Sequence, residues 1–147
     1  MARGKKRKSA KRKAEPQTVK NARHFADPTQ SISGLNFKWR TDHIDLGGDF
    51  GWGEIDLNKL LTEIVPKLHG FETQTWGEIE GDRSHFCELT ESRNSKQVLA
   101  RLDELDWQYD SELFSLRLTG AERVWGRRDR AILYILWWDP NHLAHII

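Results

Sequence analysis

The chain has 147 residues and a formal net charge of +1, a length that suits one domain with its own hydrophobic core. The charge is uneven: residues 1–24 contain ten Lys or Arg and one acid (net +9), and residues 25–147 contain thirteen Lys or Arg and twenty-one acids (net −8). No run of eighteen apolar residues is present, and the charged N-terminus leads into no apolar segment. We therefore expect a cytoplasmic protein with no membrane partner.

Residues 1–34 are predicted to be a basic tail and linker. Between Met1 and Val19 no apolar residue is larger than Val, so the segment lacks the surface to offset the entropy of ordering, and we expect it to be disordered. Two basic clusters are candidates for binding phosphates of RNA: Lys5, Lys6, Arg7 and Lys8, then Lys11, Arg12 and Lys13. The alternative is a solvated tail that merely keeps an acidic body soluble.

The domain is predicted to span residues 35–147 and to begin with a strand and a helix. The segment 37–45 alternates apolar and polar residues, which indicates a strand. A helix with the apolar spacing i, i+3, i+4, i+7 follows, with Asp56 as its N-cap, and Pro66 is expected to limit this helix or to restart the chain in a new direction. The apolar face of this helix consists of Leu57, Leu60, Leu61 and Ile64.

The rest of the domain is predicted to contain two helices and four strands. In chain order these are a short helix over 71–79, a strand over 84–89, a helix over 92–105, and strands over 113–120, 122–128 and 131–138. The order predicts an α+β fold, with an N-terminal strand and two or three helices packed on one face of a C-terminal antiparallel meander of three to four strands. Because the last strand is apolar on both faces, we expect it in the centre of the sheet.

Five arginines within residues 117–130 form the first candidate site: Arg117, Arg123, Arg127, Arg128 and Arg130. If Leu116 and Val124 point toward the helices, Arg117, Arg123, Trp125 and Arg127 share the opposite face. Arginines around a tryptophan suit phosphate binding with base stacking. The alternative is an exposed sheet face on which the arginines pair with acids.

His142 is the second candidate, because it follows the turn-forming pair Pro140–Asn141 at the end of the last strand. Beside the arginines its pKa would be lowered by like charge, which favours a neutral general base. The alternative is a histidine that binds a backbone carbonyl and closes the turn.

His142 and His145 also have the i, i+3 spacing of metal ligands, with His43 and Asp45 as further donors. No metal motif is present, however, so we expect no metal and no other cofactor. Cys87, the single cysteine, is expected to be a small buried residue in a reduced protein.

The segment LFSLRLTGAERVWGRRDRAILYILWWDPNH (113–142) resembles the C-terminal sheet of the RelE/ParE superfamily of bacterial toxins. It is closer still to a bacterial group whose ends read RVWG…LYILWWDPNH. The resemblance implies a RelE-like fold, cleavage of mRNA either free or on the ribosome, and inhibition by an antitoxin protein. It also implies that Arg117 and Arg123 are the strand arginines of the site and that His142 occupies the late catalytic position. The chain departs from the family in its greater length, its acidic body and the absence of lysines from the meander.

The sequence therefore supports two functional hypotheses. The first is a metal-independent, toxin-type mRNA endonuclease in which Arg117, Arg123 and His142 are catalytic. In it Trp125, Arg127, Arg128, Arg130 and the basic tail contact RNA or the ribosome. The second is a non-catalytic module in which the same residues bind RNA or a partner protein. A purely structural use of the sheet is the third possibility.

The basic tail generates a test that needs no catalysis. We expect that deleting residues 1–24 weakens binding to single-stranded RNA and reduces the salt slope by about 0.7 for each phosphate contact that is lost. The measurement is the Kd for a fluorescent RNA at a series of KCl concentrations. An unchanged slope would show that the tail makes no phosphate contacts.

Overall fold

The computed structural model describes residues 31–107 and 112–145, and the candidate lysines and arginines of the tail lie outside these ranges. The compact unit that contains every helix and strand described below runs from Ile32 to Ile147. Among the described residues, no helix has both the length and the apolar character needed to span a membrane.

Five strands form one mixed sheet in an α+β domain, as the residue pattern predicts. The strands are β1 (Lys38–Arg40), β2 (His85–Glu88), β3 (Glu112–Arg117), β4 (Arg123–Asp129) and β5 (Ile132–Asp139). Their spatial order is β1-β5-β4-β3-β2, with β2 to β5 antiparallel and β1 added in parallel beside β5. The antiparallel meander is thus confirmed with four strands. The predicted strand over 37–45 is much shorter than expected, and β5 lies one place from the centre, which β4 occupies.

Within residues 31–107 and 112–145, three helices accompany the sheet. Helix α1 is continuous through three segments, namely α-helical Leu57–Lys59, a π-helical turn Leu60–Ile64 and α-helical Val65–Phe71. Helix α2 spans Trp76–Gly81 and begins at a capping box made by Thr75 and Glu78, and helix α3 spans Ser95–Glu104. Short 3₁₀ turns cover Ile32–Gly34, Trp52–Glu54 and Leu89–Glu91.

The helices cover both faces of the sheet, which corrects the expectation that they pack on one. Phe114 of β3 belongs to the core formed with α1 and α2, whereas its neighbour Leu113 belongs to the core formed with α3. Adjacent strand residues point to opposite faces, so these two cores define an α1–α2 face and an α3 face. The seven apolar residues of 132–138 are explained by this arrangement, because β5 is buried on both sides.

A β-bulge in β5 changes which face its last residues occupy. Trp125 of β4 is opposite Trp137, but the next residue, Gly126, is opposite Ile135, so Leu136 is the extra residue. As a result Leu136 and Trp137 both lie in the core of the α3 face. The alternation resumes one residue out of phase, which places Asp139 on the α3 face as well.

Pro66 does not end helix α1, contrary to the prediction. The π-helical turn precedes it, and the amide of Val65 donates to the carbonyl of Leu60, five residues earlier. Proline has no amide hydrogen to donate, and the wider turn is where the helix adapts to that loss. The turn also rotates the predicted apolar face, so Ile64 is fully buried while Leu57 and Leu61 are 66% and 58% exposed.

This rotation predicts different costs for two matched truncations of one helix. Ile64→Ala should lower the free energy of unfolding by about 2–5 kcal/mol, because it opens a cavity in the core of the α1–α2 face. Leu61→Ala should change it by no more than about 0.5 kcal/mol, because the side chain is exposed. Urea denaturation of both variants is the measurement. Equal destabilisation would contradict the π-helical turn.

Candidate functional site

The turn after β5 is held by Asp139, a carboxylate that is almost completely buried. One oxygen accepts the backbone amide of Leu143 at 2.8 Å, and the other accepts the amide of Ala144 at 2.8 Å and the indole N–H of Trp125 at 3.0 Å. Charge-assisted hydrogen bonds of this kind are stronger than neutral ones. Asp139 therefore fixes the path of residues 140–144 against strand β4.

This turn places His142 over Trp125. The two rings are stacked, with centroids 6.0 Å apart and an interplanar angle of 27°. The backbone of His142 is left-handed (φ 56°), a conformation that costs free energy in a residue other than glycine. Burial lowers the pKa of His142, and the positive charge of Arg123 lowers it further, while Asp139 acts in the opposite direction. The imidazole is thus held in its neutral form near neutral pH.

Arg117 and Arg123 lie directly opposite each other on β3 and β4, next to this turn. Like charges in such a cross-strand pair repel, and burial together with Arg117 lowers the pKa of Arg123. Arg117 Nη1 is 3.8 Å from the exposed carboxylate of Asp82, which is too far for a hydrogen bond. Within residues 31–107 and 112–145 the buried Nε of Arg117 has no hydrogen-bond partner. The pair is therefore a candidate element for binding an anion.

Arg123 is also part of the framework, because its side chain is largely buried. Its Nη1 donates to three backbone carbonyls, those of Thr119, Gly120 and Glu122, at 2.8–3.1 Å. These bonds close the β3–β4 turn and hold the guanidinium in a fixed orientation. Substituting Arg123 would therefore disturb the turn as well as any bound anion.

A second histidine, which sequence reasoning missed, lies at the same edge. His85 of β2 is opposite Ser115 of β3, and Ser115 is opposite Trp125 of β4. His85 lies on the α3 face, because it is two residues from Cys87, which is in the core of that face. His145 is also near, with its ring centroid 6.5 Å from that of Trp125. We call Arg117, Arg123, His85, His142 and His145 the arginine–histidine corner.

The other predicted nucleic-acid contacts do not meet at this corner. Trp125 is 0% exposed, so it supports His142 and cannot stack on a base as the sequence predicted. Arg127 lies near the opposite end of β4, beside Tyr134 and His43, and Arg130 lies in the turn beyond it. Arg128 faces the α1–α2 core, where it pairs with Glu80 and lies 3.9 Å from the centroid of the Trp76 ring. The length of β4 separates Arg123 from Arg130 by roughly 20 Å.

Asp45 and His43, which the sequence offered as further metal donors beside His142 and His145, make other contacts. Asp45 accepts two hydrogen bonds from Arg101, at 2.6 and 2.9 Å, and one from the indole of Trp137 at 3.0 Å. The ring of His43 packs between Tyr134 and Trp107. In the part of the chain that the structure describes, no group of three or more His, Cys, Asp or Glu could hold a metal ion. Cys87 is buried, and desolvation raises its pKa to about 11, so its thiol is poorly reactive.

The corner combines the groups that phosphoryl chemistry requires. Arg117 and Arg123 carry guanidinium groups, which can bind the non-bridging oxygens of a phosphodiester and stabilise charge that develops on them. A neutral imidazole beside them can accept a proton at neutral pH. His85, which is exposed on the far side of the arginine pair, can act on a second oxygen of the phosphodiester.

Asp139 predicts a change that links stability to the geometry of the corner. Asp139→Asn should lower the free energy of unfolding by about 1–3 kcal/mol, because the amide keeps one acceptor oxygen and places its NH2 group against at least one of the three N–H donors. It should also shift the ring signals of His142 in NMR spectra, since the turn loses its anchor. The exposed Asp129→Asn is the matched control and should change neither quantity. Unchanged His142 signals in Asp139→Asn would contradict the proposed anchoring.

Comparisons with known proteins assign no relative: no family model, no curated protein and no solved structure matches the chain. The resemblance to the RelE/ParE superfamily stays a prediction from residues 113–142.

Proposed function

We propose that this protein is a metal-independent endoribonuclease of the toxin type, with a RelE-like domain that cleaves mRNA and is inhibited by an antitoxin protein. The observation that carries the proposal is the juxtaposition of His142, stacked on Trp125, with the cross-strand pair Arg117–Arg123. The chain order also supports it, because one strand and helices precede an antiparallel meander. An mRNA substrate implies a cytoplasmic protein that acts on free or ribosome-bound RNA.

The proposed reaction uses the 2′-hydroxyl next to the scissile phosphate. His142 accepts the proton of this hydroxyl, the 2′-oxygen forms a bond to phosphorus, and the bond between phosphorus and the 5′-oxygen breaks, so that the 5′-oxygen leaves and is protonated to a 5′-hydroxyl. Arg117 and Arg123 stabilise the negative charge that develops on the phosphoryl oxygens. Because the nucleophile belongs to the substrate and the arginines supply the positive charge, the proposed reaction needs no metal ion.

A non-catalytic RNA-binding module is the second candidate, and the hydrogen bonds of Arg123 favour it. Its Nη1 is committed to three carbonyls, so part of this side chain closes a turn. In that case the protein binds RNA through the corner and leaves it intact. Cleavage by the purified protein separates the two candidates directly.

The first test is expression of the intact protein in a bacterial host. We expect growth arrest with mRNA cleavage, and Arg117→Ala or His142→Ala should lower the cleavage rate of purified protein on the order of 100-fold or more. Arg117 is preferred to Arg123 because its side chain does not close the turn.

The matched control is Arg127→Ala, an exposed arginine on the same face near the other end of β4. It should retain cleavage, and EDTA should leave the wild-type rate unchanged. RNA that is bound but remains intact, on or off the ribosome, would support the binding module and overturn the nuclease.

The second test is the pH dependence of cleavage. The groups that set the pKa of His142 are Arg123, His145 and His85, which lower it, and Asp139, which raises it; burial has the largest effect and lowers it. Since protonation removes the base, kcat/KM should fall with decreasing pH, with a midpoint below the ordinary histidine value of about 6.5. His142→Ala should abolish this limb. If kcat/KM of the variant fell with decreasing pH in the same way, the titrating group would not be His142.

A further inference from the structure

The position of His85 makes it a partner of His142 across one row of the sheet. His85, Ser115 and Trp125 are consecutive cross-strand neighbours, and His142 stacks on the last of them. Neighbouring strands are about 4.8 Å apart, so the backbones of His85 and Trp125 are roughly 10 Å apart and their side chains flank Ser115. Ser115 is completely buried, and its hydroxyl has no hydrogen-bond partner among the described residues. One imidazole thus lies at each end of this row, beside the arginine pair.

A backbone carbonyl fixes which nitrogen of His85 exchanges a proton. The Nδ1 atom is 3.2 Å from the carbonyl oxygen of Arg83, which can only accept a hydrogen bond. Nδ1 is therefore the donor, and Nε2 is the atom that gains or loses a proton. Arg83 has a left-handed backbone (φ 62°), and His142 is another of the few non-glycine residues with this conformation. The orientation of both histidines thus depends on a left-handed backbone, at Arg83 for His85 and at His142 itself, and this conformation costs free energy to form.

The charges of the two histidines are coupled. His85 is among the groups that lower the pKa of His142. Burial and Arg123 disfavour a proton on His142, which leaves this ring free to act as the base. Proton transfer to a departing oxygen needs a second group, and His85 is the other imidazole of the row.

We propose that His85 is the general acid of the cleavage reaction, an inference that rests on the proposed nuclease function. His142 takes the proton from the 2′-hydroxyl, the bond between the 2′-oxygen and phosphorus forms, and the bond between phosphorus and the 5′-oxygen breaks. His85 Nε2 gives its proton to that departing 5′-oxygen. The products are an RNA ending in a 2′,3′-cyclic phosphate and an RNA beginning with a 5′-hydroxyl. The substrate class is RNA with a free 2′-hydroxyl, and DNA is not cleaved.

The test compares two leaving groups on one RNA. After the site cleaved by the wild-type protein has been mapped, the same RNA is made with sulfur in place of the 5′-oxygen at that linkage. A thiolate leaves without protonation, whereas an alkoxide needs an acid. His85→Ala should lower the rate on the oxygen linkage about 100-fold or more, and that on the sulfur linkage by no more than about threefold. His142→Ala should lower both rates, and His69→Ala, an exposed histidine on helix α1, should lower neither.

The outcomes separate the role of His85 from the proposed function. Cleavage of the sulfur linkage by His85→Ala also shows that this variant is folded. Equal losses on both linkages, or no loss on the oxygen linkage, would overturn His85 as the acid while leaving the nuclease intact. No cleavage of either linkage by the wild-type protein, on or off the ribosome, would overturn the nuclease itself.

Discussion

The buried carboxylate of Asp139 is the interaction on which the candidate site depends. It accepts hydrogen bonds from Trp125, Leu143 and Ala144, so a single side chain joins strand β4 to the turn after β5. Asp139 reaches this position because the bulge shifts the alternation of β5 by one residue. Strict alternation would place it on the α1–α2 face, and His142 would then lie away from the arginines.

The same chemistry recurs along β5 and explains where part of the acidity of the body resides. Three buried carboxylates each accept an indole N–H: Asp139 from Trp125, Asp45 from Trp137 and Glu122 from Trp138. A buried tryptophan needs a partner for its N–H, and a buried carboxylate needs donors, so each group satisfies the other. Asp45 also binds Arg101 of α3, and Glu122 lies near two lysines of α1. Some of the acidic residues that make the body net negative are therefore buried, and they stabilise the end of the sheet.

The sequence predicted those features that depend on local alternation. The meander and the shared face of Arg117 and Arg123 follow from the period of two, since their leucine and valine neighbours point to the α1–α2 core. The bulge was not predictable, because one extra residue leaves no trace within a run of seven apolar residues. His85 was missed because its position opposite Ser115 depends on pairing between strands that are distant in sequence. Trp125 was expected on an exposed face, but the turn after β5 covers it.

The chemical identity of the RNA ends tests the central claim most directly, namely that an imidazole base and an arginine pair activate a 2′-hydroxyl. The measurement is mass spectrometry of the fragments formed from a defined RNA by the purified protein. We predict a 2′,3′-cyclic phosphate on one fragment and a 5′-hydroxyl on the other. Fragments with a 3′-hydroxyl and a 5′-phosphate would show that water, and not the 2′-hydroxyl, is the nucleophile, and would contradict this mechanism.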